Sequence, residues 1–317
     1  MIARPEISIV VPVFNEEALI EPFIQAVAPH LDAACANWEI LFVSDGSRDE
    51  TFARVRAANA ADPRIRGLNL SRNFGKEIAL SAGLQHAGGR AVIPMDVDLQ
   101  DPPEVAPLLI ARWREGYDVV LARRSDRSSD APAKRITAGV FYALVRRVSR
   151  IDIPRDVGDF RLLDRRVVDV LNQFPERERF MKGIFASVGF RTTVVDFVRP
   201  ARSSGQSKFG SRKLLNLAVE GFVSFSTAPL KMWTYIGFVA ATFALLYMLY
   251  YVLRTILFGI DVPGYASLLS ITLFMNGTML IGLGVQGEYI ARIFTEVKGR
   301  PLYIVADRIG LAAGPEE

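Results

Sequence analysis

Up to about residue 125, apolar positions fall into short, nearly continuous runs separated by stretches of helical period. The runs are "ISIVVPVF" (7–14), "EILFVSDG" (39–46), "IRGLNLS" (65–71), "AVIPMDVD" (91–98) and "YDVVLARR" (117–124). Between the first two, Leu19, Phe23, Ala26 and Val27 share one helical face. Strand–helix–strand units whose strands are apolar throughout predict a mostly parallel sheet covered on both sides. In such α/β sheets ligands bind beyond the strand C-termini. Phe14–Asn15–Glu16, Asp45–Gly46–Ser47 and Asp96–Val97–Asp98 all fall there.

The pattern changes in the last third of the chain. The 22 residues between Lys231 and Arg254 and the 26 between Asp261 and Glu288 carry no charge. Each stretch is long enough, at about 1.5 Å per helical residue, to cross about 30 Å of hydrocarbon. They predict a two-helix transmembrane hairpin over about 232–253 and 264–286, the alternative being a buried helical hairpin of a soluble protein. Lys208, Arg212, Lys213 and Lys231 precede it, and Arg292, Lys298 and Arg300 follow. By the positive-inside rule both flanks, and so both termini, are expected in the cytoplasm. Ser270, Gly277 and Gly284 form a seven-residue stripe of small side chains suited to helix contact, including contact between protomers of a homo-oligomer. Ahead of the hairpin, Leu214, Leu217, Ala218, Gly221, Phe222 and Phe225 line one side of an expected amphipathic helix at the membrane surface, or of a core helix. The expected division is a catalytic domain over 1–210, an interfacial helix over 211–229, the hairpin over 230–288 and a cytosolic tail over 289–317.

Composition agrees with a chain partly out of water: 50% hydrophobic residues, 23% charged and a mean hydropathy of +0.21. The lone Cys35 excludes an intramolecular disulfide, and His30 and His86 are too isolated for a usual zinc site. Oxygen-ligated metal in a reducing compartment is the consistent reading. The N-terminus lacks the basic, apolar, small-residue order of a secretory signal. A net charge of +4 permits an anionic partner without naming it. Segments 126–160 and 201–213 are rich in arginine, lysine and serine, as suits loops near an anionic ligand or ordinary surface loops.

Strand alternation would turn Asp96, Asp98 and Gln100 to one side for as long as the strand lasts. Two carboxylates so close repel one another and call for a cation. Mg²⁺ or Mn²⁺ meets that need with oxygen ligands and open positions for substrate phosphates. An acid-x-acid pattern alone is weak; its place at the end of an apolar strand, followed at once by "DPP", strengthens it.

"IVVPVFNEE", "VSDGSRDET", "LSRNFGKEIALSAGLQHAGG", "MDVDLQDPPE", "GDFRLLDR" and "GQSKFGSRKLLNL", in this order, resemble glycosyltransferase family 2 with its GT-A fold. More narrowly the combination is similar to the polyprenyl-phosphate glycosyltransferases, the group that includes dolichyl-phosphate mannose synthases and bactoprenol glucosyltransferases. The paired spans and the tail "GVQGEYIARIFTEVKGRPLYIV" resemble its bacterial membrane-anchored branch. The resemblance implies inverting transfer of a hexose from a nucleotide sugar to undecaprenyl phosphate or a similar lipid at the cytoplasmic membrane face. It implies no nucleic-acid partner. UDP-glucose ranks first as donor, with UDP-N-acetylglucosamine, UDP-galactose, GDP-mannose and a UDP-aminoarabinose derivative as alternatives.

Carried over by residue, the resemblance places Pro12, Phe14, Glu16, Asp45, Ser47 and Lys76 at the nucleotide and its sugar. Asp96, Asp98 and Gln100 match the metal-binding triplet, with Asp98 also counted as catalytic. Arg202, Ser207 and Lys208 match a loop that closes on the donor phosphates. Arg123 and Arg135 fall where an acceptor phosphate would be gripped, and Asp159 matches the proposed catalytic carboxylate. Each has a plainer alternative: Asp45 and Asp49 as turn and helix caps, Glu16 as a charge favoured by a helix N-terminus, Asp159 as a salt-bridge partner. An acceptor phosphate monoester, with a second pKa of about 6, is mostly a dianion at neutral pH, so Asp159 is expected to position or stabilise at least as much as to remove a proton.

Rival readings are a processive polysaccharide synthase, a soluble-acceptor transferase and a non-catalytic membrane scaffold. The first would be expected to carry more spans and a "QxxRW" motif, and the nearest match, "LIARW" (109–113), lacks the glutamine. Neither a Walker A lysine motif nor a Gly-x-Gly-x-x-Gly follows the first strand.

Overall fold

The computed structural model describes residues 4–124, 157–174, 176, 181–198, 228–259 and 264–311. Two compact units result, one formed by 1–209 with 300–317 and the other by 210–299.

The first unit is built on an eight-stranded sheet. Its strands are β1 (Ile7–Val13), β2 (Trp38–Ser44), β3 (Ile65–Leu70), β4 (Ala91–Pro94), β5 (Val119–Arg124), β6 (Val157–Asp164), β7 (Thr192–Phe197) and β8 (Val305–Ile309), in the order β7-β5-β6-β4-β1-β2-β3-β8. The central block β4-β1-β2-β3 is parallel. β6 runs antiparallel to both β4 and β5, β7 pairs parallel with β5, and β8 closes the other edge antiparallel to β3.

The predicted parallel core follows from the apolar runs, because side chains on both faces of each strand are buried. Along β1, Ile7, Ile9, Val11 and Val13 enter one core and Val10 the other. The first core is completed by α1 (Ile20–Ala34), α2 (Thr51–Ala61) and α4 (Ala106–Arg114). The second receives α3 (Lys76–His86), α5 (Arg165–Leu171) and α6 (Met181–Ser187). On α1 the buried stripe is Ile20, Phe23, Val27 and Leu31, so Leu19 and Ala26 lie at its margin. Helix α3 approaches the sheet closely: a Cβ on Gly83 would lie 2.2 Å from Val10 Cγ1.

Three strands depart from the five-strand expectation. β6 grows from the "GDFRLLDR" motif, β7 from 192–197, and β8 brings the expected C-terminal tail back into the sheet. Chain order turns one way from β1 to β2 and β3 and the other way to β4, which makes a switch point, with its crevice, at the C-terminal ends of β1 and β4.

The second unit contains two long helices, α7 (Ala228–Phe258) and α8 (Tyr265–Val297). Among the described residues one helical segment, Trp233–Phe258, is long and apolar enough to cross a membrane, with a mean hydropathy of 2.0. The described large side chains of that segment are exposed, among them Phe238, Phe243, Leu246 and Ile256. Within this unit a Cβ on Gly282 of α8 would lie 3.5 Å from the indole of Trp233, whereas one on Gly277 or Gly284 of the expected small-residue stripe would meet nothing within 4 Å. Most of the expected amphipathic helix over 211–229 lies outside the described residues.

Candidate active site

The crevice at the switch point has a volume of about 330 Å³ and is lined by Pro12, Val13, Phe14, Glu16, Asp45, Asn73, Gly75, Lys76, Ala79, Asp96, Val97 and Asp98. Seven sequence-predicted residues meet here: Pro12, Phe14 and Glu16 from the end of β1, Asp45 from β2, Lys76 from the start of α3, and Asp96 and Asp98 beyond β4. Its volume suits a small-molecule ligand.

Asp45 is buried, and its two oxygens accept hydrogen bonds from the backbone N–H groups of Phe74 and Gly75 at 2.7 and 2.9 Å. It therefore braces the loop that leads into α3. Next to it Gly46, at φ 65°, lets the β2 loop approach 72–73 so closely that a Cβ would lie 2.3 Å from the carbonyl carbon of Arg72. Asp49 takes the cap-like role foreseen for it, accepting from the backbone N–H of Thr51 at 3.1 Å. Ser47 accepts from the backbone N–H of Asn15 at 3.1 Å, so it shapes the β1 loop beside the crevice.

The acidic segment is arranged differently from the strand-alternation argument. β4 ends at Pro94, and Asp96, Asp98 and Gln100 sit on a turn in which Leu99 adopts a positive φ of 53°. Gln100 donates to Asp98, through its backbone N–H at 3.1 Å and its side-chain amide at 2.6 Å. Asp96 is instead held by Lys76, whose Nζ lies 2.7 Å from Oδ1 and 2.8 Å from Oδ2.

The same ammonium is 3.6 Å from Asp159 Oδ2. Asp159 thus joins the site through Lys76, from β6. Alternation on β6 puts Arg161 on the same side as Asp159, where it is buried, stacks over the Phe185 ring at 4.2 Å and donates to the Gly158 carbonyl. Burial pushes the Arg161 guanidinium down to about 10, opposed by the charges of Asp159 and Glu77, so it stays protonated at neutral pH. This buried cation escaped the sequence reading, in which Arg161 was one arginine among many.

Charge is unevenly balanced here. Burial raises the Glu16 carboxyl above its usual range, a hydrogen bond from the backbone N–H of Phe14 opposes this, and Asp98 and Asp96 push it further up. Burial works to lower Lys76, but Asp96 and Asp159 outweigh it and hold the amine charged. A region that raises one carboxyl and clamps an ammonium is one that calls for positive charge. Its side chains offer oxygen donors, which suits a hard divalent cation. Among the described residues no three His, Cys, Asp or Glu side chains converge to hold an ion. Asp96 and Asp98 would supply part of a coordination sphere, with substrate phosphates and water completing it.

Arg123 is directed to β7, where it makes two hydrogen bonds to Asp196 at 2.7 and 3.0 Å, and it does not line the crevice. Arg135, Arg202, Ser207 and Lys208 lie outside the described residues. Val13, Asn73, Gly75 and Ala79 line the crevice without having been singled out, although "RNFGKE" contains two of them.

The chain is similar to known proteins over most of its length. Residues 8–171 match Glycosyl transferase family 2. An uncharacterized glycosyltransferase of Synechocystis is 49% identical over 98% of both chains. The SfII prophage-derived bactoprenol glucosyl transferase of Shigella flexneri is 52% identical over 95% of this chain and 97% of its own. A solved glucosyl-3-phosphoglycerate synthase from Mycobacterium tuberculosis, in complex with Mn²⁺ and UDP-glucose, is 21% identical at a TM-score of 0.44, covering 69% of this chain and 76% of that one. The strand-end crevice with its acidic turn thus occurs in a chain that belongs to glycosyl transferase family 2.

Proposed function

We propose that the protein transfers glucose from UDP-glucose to a polyprenyl phosphate, with inversion, at the cytoplasmic face of the membrane. One observation carries the reading: the switch-point crevice gathers Glu16, Asp45, Lys76, Asp96 and Asp98 in a chain 52% identical to a bactoprenol glucosyl transferase over 95% of its length.

The donor's nucleoside lies along Pro12, Phe14 and Glu16, with Asp45 holding the loop that borders it. Asp96 and Asp98 hold Mg²⁺ or Mn²⁺, which when bound offsets the charge that builds on the departing diphosphate. Lys76 supplies a fixed positive charge beside them. Asp159, backed by the buried Arg161, faces the same cluster and positions the acceptor or stabilises the sugar as positive charge develops on it. The acceptor phosphate, mostly a dianion already, asks little proton removal of it. Removing the Asp159 carboxylate should therefore lower the rate without erasing a limb of the pH–rate profile. Arg135, Arg202, Ser207 and Lys208 complete the assignment as phosphate-gripping residues, and Arg123 joins them only by leaving Asp196.

The membrane hairpin gains support from the sheet. β1 to β7 precede α7 and β8 follows α8, yet all belong to one sheet, so membrane crossings between them come in an even number. With Trp233–Phe258 as one span, the charge-free part of the second helix, 265–287, provides the return. That topology keeps the crevice on the side where a lipid phosphate head and a cytosolic nucleotide sugar meet.

The test is a transfer assay with full-length protein in detergent, Mn²⁺, undecaprenyl phosphate and radiolabelled UDP-glucose, UDP-N-acetylglucosamine, UDP-galactose or GDP-mannose. Label entering the lipid phase from UDP-glucose is the expected result. Transfer from another donor alone would move the sugar assignment, and no lipid-phase label from any donor would overturn the reading.

A further inference from the structure

Lys76 opens α3, directly after Gly75, whose φ of 104° turns the chain into the helix. From there its ammonium reaches both oxygens of Asp96, at 2.7 and 2.8 Å, and stands 3.6 Å from Asp159. Among the described residues Asp98 has no such counter-cation: its hydrogen bonds there come from the backbone N–H and side-chain amide of Gln100. The two acidic residues of the turn are therefore unequal. The oxygens of Asp96 that a divalent ion would need are already engaged by a cation tethered to the chain.

The Lys76 and Asp96 side chains are 48% and 40% exposed. An ion pair that open to water contributes little to folding. Its consequence lies in competition, because Asp96 cannot give the same lone pairs to an ammonium and to a metal at once.

We infer that Lys76 is a built-in placeholder for the divalent ion: it occupies Asp96 while the site is empty of nucleotide and yields it, turning toward Asp159, when metal and diphosphate enter together. The inference rests on the reading of Asp96 and Asp98 as metal ligands. Without a nucleotide the ion must displace the ammonium and gains only the protein's carboxylates. With a diphosphate present, phosphate oxygens complete the coordination and give the released ammonium an anion to face. Metal and nucleotide thus each strengthen the binding of the other, and part of that coupling passes through Lys76. Between turnovers the ammonium offsets part of the negative charge in the crevice.

The experiment is a Mn²⁺ titration of the full-length protein in detergent, following the free-ion signal by electron paramagnetic resonance, with and without UDP. Lys76→Met and Lys76→Gln are compared with the unaltered chain, and matched circular dichroism and melting temperature establish that both fold. The expected result is Mn²⁺ binding about two- to fivefold tighter in both variants without UDP, the scale of losing one partly exposed ionic competitor. The enhancement of Mn²⁺ affinity by UDP should shrink in both as well. Unchanged or weaker Mn²⁺ binding in both folded variants, with the UDP enhancement intact, would overturn the inference. Asp96→Asn and Asp98→Asn in the same titration separate the two levels of the argument. If they leave Mn²⁺ binding untouched, the metal-site reading itself falls, whereas their loss of binding beside unaltered Lys76 variants removes the placeholder alone.

Discussion

The two ends of the parallel sheet handle acidic side chains in opposite ways. At the N-terminal ends of the strands Glu39 is 1% exposed and held by fixed partners: Ser8 Oγ at 2.5 Å, the Gly88 backbone N–H at 2.6 Å and the Arg66 guanidinium at 2.5 Å. Ser8 in turn accepts from the backbone N–H of Gly89 at 2.8 Å, tying β1, β2, β3 and the entry to β4 together. At the C-terminal ends Glu16, Asp96 and Asp98 line an open crevice, and among the described residues the cation that lines it with them is Lys76. A backbone N–H, a hydroxyl and a guanidinium lock a carboxylate in place; a lysine and solvent leave it available. The first arrangement stabilises the fold, and the second leaves room for a ligand.

Substitutions should divide along the same line. At the open end, Asp98→Asn is expected to lower transfer by about a hundredfold to a thousandfold, the scale of losing one charge-stabilising group in a transition state. Its melting temperature should hold or rise, since one of several repelling carboxylates is gone; a rate loss matched by unfolding would erase the contrast. At the closed end, Glu39→Ala should cost about 3 kcal/mol or more in denaturant unfolding, because Arg66, the Ser8 hydroxyl and the Gly88 backbone N–H lose their partner. The fraction that remains folded should keep ordinary nucleotide affinity.

Between the two ends, Gly83→Ala probes the packing of α3 that carries Lys76 into the crevice. Its Cβ would lie 2.2 Å from Val10 Cγ1 and 3.0 Å from Val43 Cγ2, so a loss of about 1–3 kcal/mol is expected, with a lower nucleotide affinity as α3 shifts. Unchanged stability and binding would show the helix free to move.

The smallest effect belongs to a surface cluster at the rim of the closed end, where β2 and β3 begin. Arg64 bridges Asp62 and Asp32 and lies 3.8 Å from the centre of the Trp38 ring. A hydrogen bond from Trp38 first, and then Arg64, holds the Asp32 carboxyl below its usual range; Arg64 does the same for Asp62. Folded values below the unfolded ones mean a stabilisation present above the unfolded carboxylate range and lost as pH falls through the folded values. Arg64→Ala should therefore cost about 1 kcal/mol at neutral pH, and the electrostatic share of that difference should fade under acid. A difference that persists undiminished at low pH would assign it to the stacking on Trp38.

The central sheet was legible because its strands are buried on both faces and so read as unbroken apolar runs. β6, β7 and β8 were not: Thr192–Phe197 alternates exposure at an edge, Val305–Ile309 makes its antiparallel pairing with a strand more than 200 residues earlier, and neither carries a continuous apolar run. At the site, residue types near strand ends pointed to Glu16, Asp45, Asp96 and Asp98. What alternation predicted wrongly was how they converge, because β4 stops at Pro94 and a turn takes over. The partnership of Lys76 with Asp96 and Asp159 joins residues from α3, the acidic turn and β6, which no local pattern links.

The central claim is that the acidic turn holds the ion that holds the donor. An anomalous difference map from crystals grown with Mn²⁺ and UDP tests it most directly. A manganese peak within about 2–2.5 Å of the Asp96 and Asp98 carboxylates, with the diphosphate on its far side and the nucleoside along Phe14 and Glu16, is the predicted result. A nucleotide bound outside the crevice, or manganese bound away from both carboxylates, would contradict the account.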